Sequence, residues 1–108
     1  MNNFKVIYRI LKYLEENMDN TSVDSDKISH ETLGISFNRW ENLLWEMQSN
    51  GYIRGLTYEQ TMSDSSPHVV LPIAPKITMR GLEYLASNTM MQKVADTMKR
   101  VKEVIPGM

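Results

Sequence analysis

The chain has 108 residues, 42% apolar and 23% charged, which is the size and composition of one ordinary globular domain with a single buried core. A formal net charge of -1 offers no global excess of positive charge to advertise nucleic acid, so any such contact must come from a local patch. The absence of cysteine excludes disulfides and thiolate metal sites and fits a cytoplasmic protein, and with no apolar run near the ~20 residues that span a bilayer and no signal-peptide order at the N-terminus, no membrane partner is expected.

The first segment, from about Asn3 to Asn17, reads as an amphipathic helix. Phe4, Ile7, Tyr8, Leu11 and Leu14 recur at helical spacing, with Lys5, Arg9 and Lys12 on a neighbouring stripe that faces water. DNTSVDSDK, residues 19–27, is polar and turn-forming and is expected to be a loop. Three helix starts then carry the same signature, an apolar residue before a Ser or Thr cap and another four positions after it. They are Ile28-Ser29 with Leu33, Ile35-Ser36 with Trp40, and Ile77-Thr78 with Leu82. In each, the hydroxyl oxygen can accept a bond from an orphan N–H of the first turn.

The helix from Phe37 to Ser49 should bury Trp40, Leu43, Leu44 and Met47, leave Asn38 and Asn42 exposed, and stop at Asn50-Gly51. Only Leu33-Gly34-Ile35-Ser36 separates it from the helix before, a spacing that predicts a helix-turn-helix. The period changes after Gly51. Residues 52–58 and 68–71 are rich in strand formers, and EQTMSDSSP between them is a polar connector expected to be mobile. Pro72 and Pro75 confine the second strand to an edge or break it. Thr78 then opens a further helix, and a last one over about 89–105 carries Met91, Val94, Met98, Val101 and Ile105 in a heptad pattern. That seam could pair two copies of the chain as a homodimer or lie on the first helix. The expected architecture is α+β, mostly helical: one winged helix-turn-helix domain over residues 1–108, with its wing at about 52–77 and an added C-terminal helix.

The order ISHETLGIS, WENLLWEM, NGYIRGL, PKITMRGLEYL and a closing VIPG resembles the YjcQ-like family of small bacterial and phage-related proteins, over nearly the whole chain from Phe4 to Gly107. The resemblance implies a winged-helix fold. It brings no catalytic or binding residue with it.

The inventory of reactive groups argues for binding rather than catalysis, with no cofactor and no metal. His30 and His68 stand alone without metal-ligand spacing, and no phosphate-cradling glycine loop or nucleophile motif is present. Glu46 and Glu83 read as helix-surface charges. If the fold meets double-stranded DNA as a phage-related regulator, Asn38, Arg39 and Asn42 would face base edges, and Arg54 and Lys76 would meet phosphates. Against this, residues 28–58 hold Arg39 and Arg54 beside Glu31, Glu41 and Glu46, a net negative reader. The alternative is an adaptor that captures a protein through Trp45, which sits about 140° around the helix from Trp40. Trp45 could instead cover the base of the wing through Tyr52 or Tyr58.

Overall fold

Asn2 starts the first helix: its side-chain oxygen accepts the Phe4 N–H at 2.7 Å, and α1 runs from Asn3 to Glu16. The computed structural model describes residues 2–88. The C-terminal helix expected over 89–105, with the homodimer seam of Met91, Val94, Met98 and Val101, lies outside the described residues.

The stripe that α1 buries differs from the one its sequence suggested. Val6, Ile10, Leu11 and Leu14 are in the core, Ile7 and Tyr8 are half-buried, and Phe4 is 68% exposed. Val6, Ile10 and Leu14 recur at four-residue spacing, so the helix is rotated toward the Val6 side of its apolar arc. Within the segment expected to be a loop, Asp24 caps a 3-10 turn over Ser25–Ile28 through the Asp26 N–H at 3.0 Å.

All three anticipated Ser/Thr caps form. Ser29 Oγ accepts the Thr32 N–H at 3.2 Å and opens α2, His30–Leu33. Ser36 Oγ accepts the Arg39 N–H at 3.1 Å and opens α3, Phe37–Ser49. Thr78 Oγ1 accepts the Gly81 N–H at 3.1 Å and opens α4, which is helical over 79–88. Gly34 turns the chain between α2 and α3 with φ 72°, a conformation costly for any residue with a Cβ. Trp40 is locked by its indole N–H, which donates to the Ile28 carbonyl at 2.9 Å in the buried interior.

Two antiparallel two-stranded sheets follow. Ile53–Arg54 (β1) pairs with Lys76–Ile77 (β4), in register Ile53↔Ile77 and Arg54↔Lys76. Tyr58–Glu59 (β2) pairs with His68–Val69 (β3), in register Tyr58↔Val69 and Glu59↔His68. The run 52–58 is therefore two strands, not one, because Gly55 adopts φ 97° and breaks it. At the break the Gln48 side-chain amide replaces the missing ladder. It accepts the Leu56 N–H at 2.8 Å and donates to the Leu56 carbonyl at 3.1 Å.

One hydrophobic cluster joins α1, α3, the inward residues Ile53 and Ile77 of the first sheet, Val69 of the second, and Leu56 and Ile73 in the segments that flank it. The chain is α+β, with roughly half of the described residues helical. No helix of the described residues is long and apolar enough to cross a membrane.

Candidate functional site

Helix α3 carries two stripes. Trp40, Leu44 and Met47 recur at helical spacing and face the core. One position further on, Glu41, Trp45 and Gln48 repeat the same spacing; the first two meet the β2–β3 hairpin and Gln48 meets the Leu56 backbone that leads into it. Between α3 and that hairpin lies a groove of about 510 Å³, lined by Asn38, Glu41, Asn42 and Trp45 on one side and by Tyr58, Ser65, Ser66, Pro67 and His68 on the other.

Glu41 organises the groove. It is only 7% exposed, and its carboxylate accepts the buried Val69 N–H at 2.8 Å. Its Oε1 lies 3.0 Å from His68 Nδ1, whose second nitrogen sits 3.8 Å from Asp64 Oδ1 at the hairpin tip. The imidazole is thus held between two carboxylates. Its pKa is raised above 6.5, first by the hydrogen bond to Glu41, then by the charge of that carboxylate, and to a smaller degree by Asp64. Asp64 is in turn held below the usual 3.8 by the Thr61 N–H at 3.0 Å and the Thr61 hydroxyl at 2.9 Å.

Tyr58 forms the floor beside Trp45, the rings meeting edge-on at 4.8 Å between centroids. The Tyr58 hydroxyl is buried with no hydrogen-bond partner among the described residues. Burial, reinforced by the Glu41 charge, pushes its pKa up to about 12, so the phenol stays protonated across the physiological range. Trp45 packs on Tyr58, one of the two tyrosines anticipated for it, yet stays 45% exposed at the groove mouth. Tyr52, the other, packs on Tyr84 at 5.3 Å.

The residues singled out by sequence fall into three places. Asn38, Asn42 and Trp45 come together in the groove, and both asparagines are exposed. Arg39 points elsewhere, its guanidinium donating to Asn3 Oδ1 at 3.0 Å at the start of α1. Arg54 and Lys76 oppose one another across β1–β4 and line a different cleft. Leu43, expected in the core, is half-buried against it. Sequence reasoning missed Glu41, Tyr58, Asp64 and His68 as members of one site. A signal existed for the first: its neighbours three and four positions on are Leu44 and Trp45, so it had to flank an apolar face. Among the described residues no group of three acidic, histidine or cysteine side chains is placed to hold a metal ion.

These features define a class, an α+β domain in which a capped helix and a small hairpin enclose a groove with an aromatic mouth and a Glu41–His68 pair in its wall. The chain belongs to the YjcQ family, whose model, described as YjcQ protein, matches residues 8–104. It is 30% identical over 105 residues to the uncharacterized protein YjcQ of Bacillus subtilis (strain 168), covering 97% of this chain and 99% of that relative. No solved structure matches the chain at a significant level.

Proposed function

We propose that the chain is a winged-helix-type adaptor, which binds a protein partner in the α3–hairpin groove and performs no chemistry on it. In this reading α2 and α3 are the helix-turn-helix and the β2–β3 hairpin is the wing. The observation that carries it is the placement of Trp45, 45% exposed at the mouth of the groove yet fixed edge-on against Tyr58. A rigid, half-exposed aromatic over a concave surface is the usual centre of a binding hot spot. The wall beside it carries Asn38, Asn42, Ser65 and Ser66, so the complementary ligand is a polar segment with a Lys or Arg that can lie on the Trp45 face.

DNA recognition is the second reading, favoured by the exposure of Asn38 and Asn42 side by side on α3. Two features oppose it. Arg39 is engaged with Asn3, and among the described residues the groove offers phosphate no cation beyond His68.

One titration separates the two readings. Short peptides combining Lys or Arg with Leu, and a mixed-sequence duplex at low salt, are added in a calorimetric titration. The adaptor reading expects saturable peptide binding that Trp45→Ala weakens by about 2 kcal/mol or more, while the domain stays folded and loses only the about 0.5–1.5 kcal/mol of its contact with Tyr58. Duplex binding that falls steeply with salt and is weakened by Asn42→Ala, with Trp45→Ala silent, would replace it with the DNA reading.

A further inference from the structure

A second cleft, of about 340 Å³, lies between the end of α1 with its following loop and the β1–β4 ladder, away from α3. Leu14, Val23 and Ile77 give it an apolar floor, and Thr21 and Ser22 bring hydroxyls to its rim. Arg54 and Lys76 supply two positive charges, and among the described residues no acidic side chain lines it. The register places those two cations directly opposite one another, so their Cβ atoms are roughly 5 Å apart on one face. Neither has an ion pair or hydrogen bond among the described residues.

Like charges in direct opposition weaken a ladder, and this one is only two residues long in each strand. The two side-chain charges oppose the pairing that their backbones make, and they have the geometry of an anion receptor. The end of α1 would repel an anion if its carbonyls were bare, but three of its last four are occupied. The Asn17 N–H reaches the Tyr13 and Leu14 carbonyls at 3.2 and 3.3 Å, the Asn17 side-chain amide adds a bond to Tyr13 at 2.8 Å, and the Met18 N–H bonds the Glu15 carbonyl at 3.3 Å.

We propose that this cleft binds a small phosphomonoester carried on a short apolar body. Arg54 and Lys76 neutralise the phosphate, whose charge approaches -2 near neutral pH, and the Thr21 and Ser22 hydroxyls can donate to its oxygens. The body lies on Leu14, Val23 and Ile77, in a volume at the lower end of small-molecule sites. A concave, half-apolar cleft suits such an amphiphile better than the convex and wholly polar backbone of a duplex. This site is separate from the α3 groove and stands or falls independently of the adaptor reading.

The test is calorimetric titration of the full chain with hexyl phosphate, inorganic phosphate, hexanol and a mixed-sequence duplex, with chemical-shift mapping. Hexyl phosphate should bind saturably and shift Thr21, Arg54 and Lys76, and each methylene buried should raise affinity over inorganic phosphate by up to roughly fourfold. Arg54→Gln and Lys76→Gln should each weaken binding roughly tenfold or more. Both unliganded variants should melt no lower than wild type, because each removes a like-charge opposition. Absence of saturable binding, equal affinity for phosphate and hexyl phosphate, or unchanged binding by the double variant would overturn the proposal. Duplex that displaces hexyl phosphate from Arg54 and Lys76 would assign those cations to nucleic acid and overturn it too.

Discussion

Removing the Glu41 carboxylate would strip the buried Val69 N–H of its acceptor at 2.8 Å. Glu41→Ala should therefore cost about 1–3 kcal/mol in chemical denaturation, the range for a buried donor left unpaired. Glu41→Gln keeps an acceptor for Val69 and should cost less, which separates the hydrogen bond from the charge. The charge itself is read through His68. Its raised pKa means that folding favours the imidazolium, so this contribution is complete below pH 6.5 and fades as pH rises through the folded value. Asp64 behaves oppositely: with its pKa held below 3.8, its contribution is complete above that pH and is lost as pH falls beneath it. Attachment of the hairpin is then strongest between those limits. A proton NMR titration of His68 should give a midpoint above 6.5 in wild type that drops toward 6.5 in Glu41→Gln. An identical midpoint in both proteins would remove Glu41 as its cause.

At the scale of elements, the starts and stops of the longer helices were readable in advance, whereas the 3-10 turn over Ser25–Ile28 and the exact face of α1 were not. The three Ser/Thr caps, the stop at Gly51 and the core face of α3 rest on contacts within a few residues along the chain, so spacing alone reveals them. What depends on distant pairing was not readable. Lys76–Ile77 is a strand only because Ile53 and Arg54 lie beside it, and Gly55 breaks a run that its flanking residues mark as continuous strand. The site divides in the same way. Asn38, Asn42 and Trp45 follow from helical period, whereas Glu41 and His68 are 27 positions apart and neither reveals its partner. Thr78 and Gly81 test the local side. Thr78→Ala should cost about 0.5–2 kcal/mol by removing the cap of α4, together with its bond to the Gly51 carbonyl. Gly81→Ala would place a methyl against the Tyr52 carbonyl and 2.7 Å from Ile77 Cγ1, which are part of and next to the β1–β4 ladder. A thermal melt should register that overpacking as a loss of about 1–3 kcal/mol. A Gly81→Ala melt matching wild type would mean that α4 can shift away without cost.

Across the whole molecule, the β2–β3 hairpin should be the least autonomous part. It has two residue pairs and one further bond, from the Val70 N–H to the Thr57 carbonyl at 2.8 Å, and a two-stranded hairpin is marginal at best on its own. Its place is set by the outer stripe of α3: Glu41 holds Val69, Trp45 covers Tyr58, and Gln48 holds Leu56. The inner stripe, with Leu44 fully buried, serves the core instead. The two stripes should therefore carry separable stabilities. Leu44→Ala should lower global stability by about 2–5 kcal/mol and speed amide exchange throughout the slowly exchanging core. Glu41→Ala combined with Gln48→Ala should instead release the hairpin alone. Native-state hydrogen exchange would show the Leu56, Val69 and Val70 amides losing protection while those of Ile10, Leu11 and Leu14 in α1 keep most of theirs. Loss of protection by the same factor at both sets of amides would mean that hairpin and core open as one unit, and that α3 cannot release its groove wall without unfolding the domain.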